Sequence, residues 1–230
     1  MIDLSDRTAI VTGASRGLGK TTAIRLAEAG ANVVGTARSE DDLAKTIETV
    51  ESHGTDGLGV RADMADFDDL ERVMDETVAE FGTPHILVNN AGTFHATPPL
   101  EQSFDEIDEM IDVNMRGLMR MSQLFANEFT DSDLEEGGRI INISSNTANV
   151  GVPVWMGYSA TKGAVLSITR TLALEVVQEG MTVNTVIPGT IRTPGVEQDI
   201  EERGDDLYVW PGNPMGELGE PEDIANACLY

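Results

Sequence analysis

One cysteine, three histidines and three lysines (Lys20, Lys45 and Lys162) among 230 residues leave little material for metal or disulfide chemistry. Cys228 has no second cysteine to pair with, and no Cys/His spacing of the zinc-binding kind occurs, so no metal site is expected. His53, His85 and His95 are scattered singly and read as solvated or packed side chains. No stretch reaches the roughly 18 apolar residues of a membrane span. The opening Met1-Ile2-Asp3-Leu4-Ser5-Asp6-Arg7 is acidic and polar, unlike the basic and then apolar start of a secretory signal. A soluble, cytoplasmic protein is the expectation. No internal repeat or low-complexity run divides the chain, and its length suits one domain spanning 1–230.

Positive charge is the other scarcity. Forty acidic residues face fifteen Lys and Arg, for a net charge of -25. Such a charge repels nucleic acid and anionic membranes, so neither is expected as a partner. It also strains a compact fold by self-repulsion, which molar salt removes by shrinking the Debye length to about 3 Å. Because the acids run along the whole chain rather than forming a tail, a salt-rich, halophilic cytoplasm is expected; the alternative is an ordinary acidic protein. The Tm is expected to rise from low to molar KCl, and a Tm indifferent to salt removes the halophilic reading.

What is present is an alternation. Short β-branched runs at 8–12, 31–36, 57–62, 86–89, 139–144 and 182–187 are separated by stretches of helical period at 17–29, 40–53, 67–81, 104–129 and 158–178. The runs are continuously apolar, as strands buried on both faces are. This is the pattern of an α/β fold with a doubly wound parallel sheet, the Rossmann arrangement, whose ligands lie at the carboxyl ends of the strands. After Pro188-Gly189 the alternation stops. Residues 193–215 are rich in Gly, Pro and acids, and such a long irregular segment is a candidate substrate lid.

Between the first strand and the first helix stands Thr12-Gly13-Ala14-Ser15-Arg16-Gly17-Leu18-Gly19. Glycines there let the backbone turn and approach a pyrophosphate at the helix N-terminus. At the end of the second strand an acid would bind a ribose 2′-hydroxyl, whereas Arg accommodates a 2′-phosphate. The chain reads Gly35-Thr36-Ala37-Arg38-Ser39, and Arg16 in the loop is a second candidate. In a chain so short of cations the pair favours NADP (NADPH) over NAD. The alternative is that both arginines pair with Glu40, Asp41 or Asp42.

Tyr158 and Lys162 lie four apart in a helical stretch, hence on one face with Cβ atoms about 5–6 Å apart. Tyr has a reference pKa of about 10, and a nearby ammonium favours the phenolate. Ser145, thirteen residues before Tyr158, ends a β-branched run and can orient a carbonyl; Ser144 competes for that role. Taken alone, a Tyr and a Lys at this spacing are an ordinary helix face.

Assembled in order, these residues closely resemble the short-chain dehydrogenase/reductase family in its short, single-domain form. The resemblance identifies Gly13, Ser15, Arg16, Gly17, Leu18 and Gly19 with the cofactor loop and Asp63, followed by Met64, with the adenine-contacting acid. It identifies Asn90, Ala91 and Gly92 with the fourth-strand signature Asn89-Asn90-Ala91-Gly92, and Pro188, Gly189, Ile191 and Thr193 with the nicotinamide-side loop. It implies a catalytic set of Asn114, Ser145, Tyr158 and Lys162. Tyr158 would exchange the proton, Ser145 would hold the carbonyl oxygen, and Lys162 would lower the Tyr158 pKa and hold the nicotinamide ribose. Asn114 would position a water linking Lys162 to solvent. The implied activity is NADPH-dependent reduction of a carbonyl, with an NAD(P)-dependent alcohol or sugar dehydrogenase, and more remotely a non-enzymatic cofactor-binding regulator, as alternatives.

The family normally continues into a seventh strand and a tail, so the resemblance implies a truncated chain. Its dimer forms through the helices bearing Asn114 and Tyr158, which implies a homodimer or homotetramer. Around Pro188 and Pro214 the chain is similar to 3-oxoacyl-thioester reductases. Those that accept acyl-carrier protein use basic docking residues, but here the matching surface reads Asp131-Ser132-Asp133-Leu134-Glu135-Glu136, and Leu174 stands in place of an Arg. A coenzyme A thioester or a small ketone is therefore expected rather than a carrier protein. Pocket candidates are Phe94, Trp155, Ile191 and Trp210; for Trp155, simple packing or an interface contact is the alternative.

Overall fold

The computed structural model describes residues 2–134, 137–204 and 217–230. Six strands, β1 (Thr8–Thr12), β2 (Asn32–Ala37), β3 (Gly57–Arg61), β4 (Ile86–Asn89), β5 (Gly138–Ile143) and β6 (Met181–Val186), form one parallel sheet in the order β3-β2-β1-β4-β5-β6. Alternate side chains leave opposite faces of a strand. Ala9 and Val11 accordingly enter one core with Val33 and Val88, while Ile10 enters another with Val34 and Leu87. The central strands β1, β2 and β4 are buried on both faces, which is why they read as apolar runs, whereas the edge strands β3 and β6 carry exposed residues.

Helices α1 (Gly17–Glu28), α2 (Glu40–Glu51) and α8 (Pro221–Leu229) cover the first core through Leu26, Leu43, Val50 and Ile224. Helices α3 (Phe67–Phe81), α5 (Leu118–Thr130) and α6 (Met156–Val176) cover the second through Leu70, Phe125, Phe129 and Val176. Cys228 is buried beside α1, and burial pushes its thiol up to about 12, so it has no thiolate chemistry near neutrality.

Several expected bounds shift. Strands β2, β5 and β6 are displaced by one residue from the apolar runs, because a strand ends where its ladder ends rather than where apolarity does. The helix expected over 104–129 is not continuous: α4 (Phe104–Ile111) passes into a π-helical segment, Asp112–Gly117, before α5 begins. Helix α6 starts two residues earlier than expected, at Met156. Residues 194–203, expected to be irregular, form α7 (Pro194–Arg203). Its start is well specified, since the Thr193 hydroxyl accepts from the Val196 N–H at 3.3 Å and Pro194 occupies the first turn. The rest of the candidate lid, including Trp210, lies outside the described residues.

The segment leaving β6 is anchored again at residue 219. Ile191 and Gly219 form a parallel bridge, with Arg192 N donating to Gly219 O at 2.8 Å and Gly219 N to Thr190 O at 3.0 Å. Strand order reverses between β1 and β4, and a cleft opens at their carboxyl ends, where such sheets bind ligands.

Candidate active site

The cleft measures about 600 Å³ and collects the loops that follow all six strands. At one end Gly13 turns with φ +70°, a left-handed value natural only to glycine, so that the chain passes close to Ala91. Thr12 ties the two strand ends together. Its hydroxyl receives the Asn90 and Ala91 N–H groups, each at 3.0 Å, while the Asn90 amide donates to Thr12 O at 2.9 Å. Gly13, Ser15, Arg16, Gly17 and Leu18 line the cleft; Gly19 does not. A Cβ on Gly19 would overlap Gly13 O and Asn90 Nδ2, so this glycine seats the loop from behind instead of facing a ligand.

Strand β2 ends in Ala37, with Arg38 beyond it, and Arg16 and Arg38 are both exposed on the cleft wall. Among the described residues neither is in an ion pair. Asp42, also at this corner, is instead held by Lys45 at 2.8 Å and by the Ser39 hydroxyl at 3.1 Å. The reading in which the acids of α2 occupy both arginines is therefore not what the geometry shows. Asp63, Met64, Asn90, Ala91, Gly92, Pro188, Gly189, Ile191 and Thr193 also line the cleft.

At the other end lie Ser145, Tyr158 and Lys162. Ser144 points away and donates its hydroxyl to Lys162 O at 2.8 Å, leaving Ser145 as the serine of the site. Lys162 is 4% exposed, and its Nζ donates to Ile143 O at 2.8 Å while lying 5.7 Å from the Tyr158 ring centre. Burial brings its pKa down to about 8, so it is mostly charged at neutral pH. Burial also raises the Tyr158 pKa, against a smaller downward pull from the Ser145 hydroxyl. This differs from the expectation that Lys162 sets a lowered Tyr158: the ammonium is tied to a carbonyl of β5, and desolvation outweighs the Ser145 hydrogen bond.

Asn114 does not line the cleft. It is buried in the π-helical segment, its amide donating to Thr93 O at 2.9 Å and to the Thr161 hydroxyl at 3.1 Å while its oxygen accepts from Thr93 N at 2.8 Å. Asn114 thus fixes the start of the β4–α4 loop to α6. A Cβ on Gly92 would meet both Asn114 Oδ1 at 3.3 Å and Lys162 Nζ at 3.5 Å, so the two polar atoms converge on the same point. π-Helical turns of this kind often mark functional positions.

Gln102 was not singled out by any spacing. From the β4–α4 loop its Oε1 accepts the Gly157 N–H at 3.1 Å, capping helix α6, whose own N-cap residue Trp155 supplies no side-chain cap. Phe94, Trp155 and Ile191 line the cleft as expected, and the rings of Phe94, Trp155 and Tyr158 meet edge to face with centres 6.0–6.3 Å apart. Among the described residues no group of three His, Cys, Asp or Glu is placed to hold a metal, and no helix is long and apolar enough to cross a membrane.

Residues 7–204 match the family model described as short chain dehydrogenase. The chain is 36% identical over 240 residues to versicolorin reductase of Emericella nidulans, covering 99% of this chain and 89% of that one. It is 33% identical over 228 residues to the 3-oxoacyl-[acyl-carrier-protein] reductase of Staphylococcus aureus, covering 97% and 89%. The crystal structure of a short-chain type dehydrogenase/reductase from Mycobacterium marinum superposes with a TM-score of 0.93 at 32% identity, over 100% of this chain and 89% of that one. With a glycine-turned cleft and a Ser, Tyr and Lys gathered at its far end, the chain belongs to the short-chain dehydrogenase family and is an oxidoreductase of that type.

Proposed function

We propose that this oxidoreductase is an NADPH-dependent carbonyl reductase. The observation that carries the cofactor choice is the corner after β2, where Ala37 takes the place of an acid and two exposed arginines stand without ion pairs among the described residues. The cradle fits a dinucleotide, since Gly13 admits a close backbone approach and the N-terminus of α1 opens beside it. When bound, a reduced nicotinamide supplies hydride to the carbonyl carbon.

The residues of the chain supply the rest. Tyr158, kept protonated by burial, transfers its proton to the carbonyl oxygen as negative charge develops there, so hydride and proton together yield the alcohol. Ser145 donates a hydrogen bond to that oxygen, acting as a fixed dipole. Lys162, charged below about pH 8, stabilises the phenolate left behind. Asn114 and Gln102 hold the loop and helix that set these groups in place. A raised Tyr158 pKa disfavours the oxidative direction near neutrality, where a phenolate would be required, and this ranks alcohol or sugar oxidation second.

The carbonyl arrives without a carrier protein in this reading, since Leu174 on α6 is 80% exposed where basic docking would be needed. Exposed Met119, Leu174 and Val177 on and beside α5 and α6 suit a homodimer or homotetramer through those helices.

NADPH is expected to exceed NADH in kcat/KM. Arg38→Asp should cut that preference by roughly 10–100-fold, the worth of one charge-assisted phosphate contact of about 1.5–3 kcal/mol. NADH outperforming NADPH in the unmodified enzyme defeats the assignment.

A further inference from the structure

The wall around Tyr158 differs in character from the dinucleotide end. Phe94 from the β4–α4 loop and Trp155 at the head of α6 pack edge to face on each other and on Tyr158, and Phe94 keeps 40% of its surface exposed. A carbonyl held by Tyr158 and Ser145 must place its substituents against these rings. Gly189 lines the same cleft, and a Cβ there would meet nothing within 4 Å.

Charge at this end excludes a second class of substrate. Among the described residues the cations lining the cleft are Arg16 and Arg38 at the dinucleotide corner and Lys162, whose ammonium is tied to Ile143 O. Arg192, at the foot of the segment that follows β6, is paired with Glu220 at 3.1 Å and with Glu197 at 3.8 Å. His95, next to Phe94, is flanked by Glu109 at 2.8 Å and Glu106 at 3.8 Å. With these cations already paired to Glu106, Glu109, Glu197 and Glu220, the phosphates of a coenzyme A ester would find like charge there.

Resting on the reductase reading, we infer that the substrate is an uncharged, flat aromatic ketone seated against Phe94 and Trp155, rather than a coenzyme A thioester. Edge-to-face rings offer a rigid apolar wall to an aryl group, and a neutral ketone meets no repulsion from the acidic surround.

The experiment compares NADPH oxidation with α-tetralone, ethyl acetoacetate and acetoacetyl-CoA in the same high-salt buffer. The first is a flat aryl ketone; the other two present one reacting group on a neutral and on a phosphate-bearing carrier. The expected order in kcat/KM is α-tetralone above ethyl acetoacetate above acetoacetyl-CoA, with steps of about tenfold or more. Phe94→Ala, at an exposed site that folding tolerates, should lower kcat/KM for α-tetralone at least about tenfold more than for ethyl acetoacetate. The ratio of acetoacetyl-CoA to ethyl acetoacetate should climb with KCl as repulsion is screened.

Acetoacetyl-CoA outperforming both neutral ketones overturns the inference while leaving the reductase reading intact. Equal losses on both neutral ketones in Phe94→Ala also overturn it. Absence of NADPH oxidation with all three removes the reductase reading, and the inference with it.

Discussion

Replacing Tyr158 with Phe abolishes carbonyl reduction while NADPH affinity, read by cofactor fluorescence, stays within a few-fold. The substitution removes one oxygen from a half-buried ring and keeps the contacts with Phe94 and Trp155. What disappears is the proton that neutralises the alkoxide, a contribution of about 10²–10⁴ in rate. Ser145 does not replace it: its hydroxyl oxygen is already held by Thr147 N at 3.3 Å and Thr147 Oγ1 at 3.2 Å. The unmodified enzyme should also show a pH limb. With Lys162 near 8, the ammonium is lost as pH rises through that value, so kcat/KM for reduction is level below about pH 7 and falls above about pH 8. A Tyr158→Phe enzyme retaining more than about a tenth of the activity removes Tyr158 from the proton-donor role.

Gly19→Ala is expected to cost at least about 100-fold in NADPH affinity, although position 19 does not line the cleft. The added methyl would overlap Gly13 O and Asn90 Nδ2 and stand 2.8 Å from Gly13 C, all parts of the interlock between the β1 and β4 ends. Backbone must move, and what moves is the turn that admits the pyrophosphate. Far-UV circular dichroism should show the fold retained, and the affinity loss should appear in equilibrium titration rather than in kcat alone. Unchanged affinity would show that the loop accommodates the shift and that the close approach at position 19 is dispensable.

The sheet and the chemical residues were legible in the sequence for different reasons. The sheet was legible because the central strands β1, β2 and β4 are buried on both faces and leave apolar runs, and Tyr158 and Lys162 because helical spacing alone puts them on one face. The π-helical segment was not, since the apolar period runs through 104–129 without a break and an extra residue in one turn leaves no compositional mark. Gln102 was invisible because its contact is 55 positions away, and no spacing rule links a loop amide to a distant helix end. Helix α7 had its start signal, Thr193-Pro194, but lacked the apolar stripe that distinguishes a helix from a polar loop. The direction of the Tyr158 titration was not legible because it weighs desolvation against the Ser145 hydrogen bond, and only the folded surroundings set that balance. At the arginine corner the sequence left two readings open, and only the folded structure shows that Asp42 is held by Lys45 and Ser39.

The bridge between Ile191 and Gly219 closes the chain between them into a loop with a fixed base. Because both feet of the intervening segment are stitched together beside the cleft, its length and composition can drift without disturbing the strand ends that hold the dinucleotide. Lengthening such an excursion costs little, about 0.6 kcal/mol per doubling, as its ends are already held. The strand ends that line the cleft are thereby held in place whatever the length of the chain between residues 191 and 219.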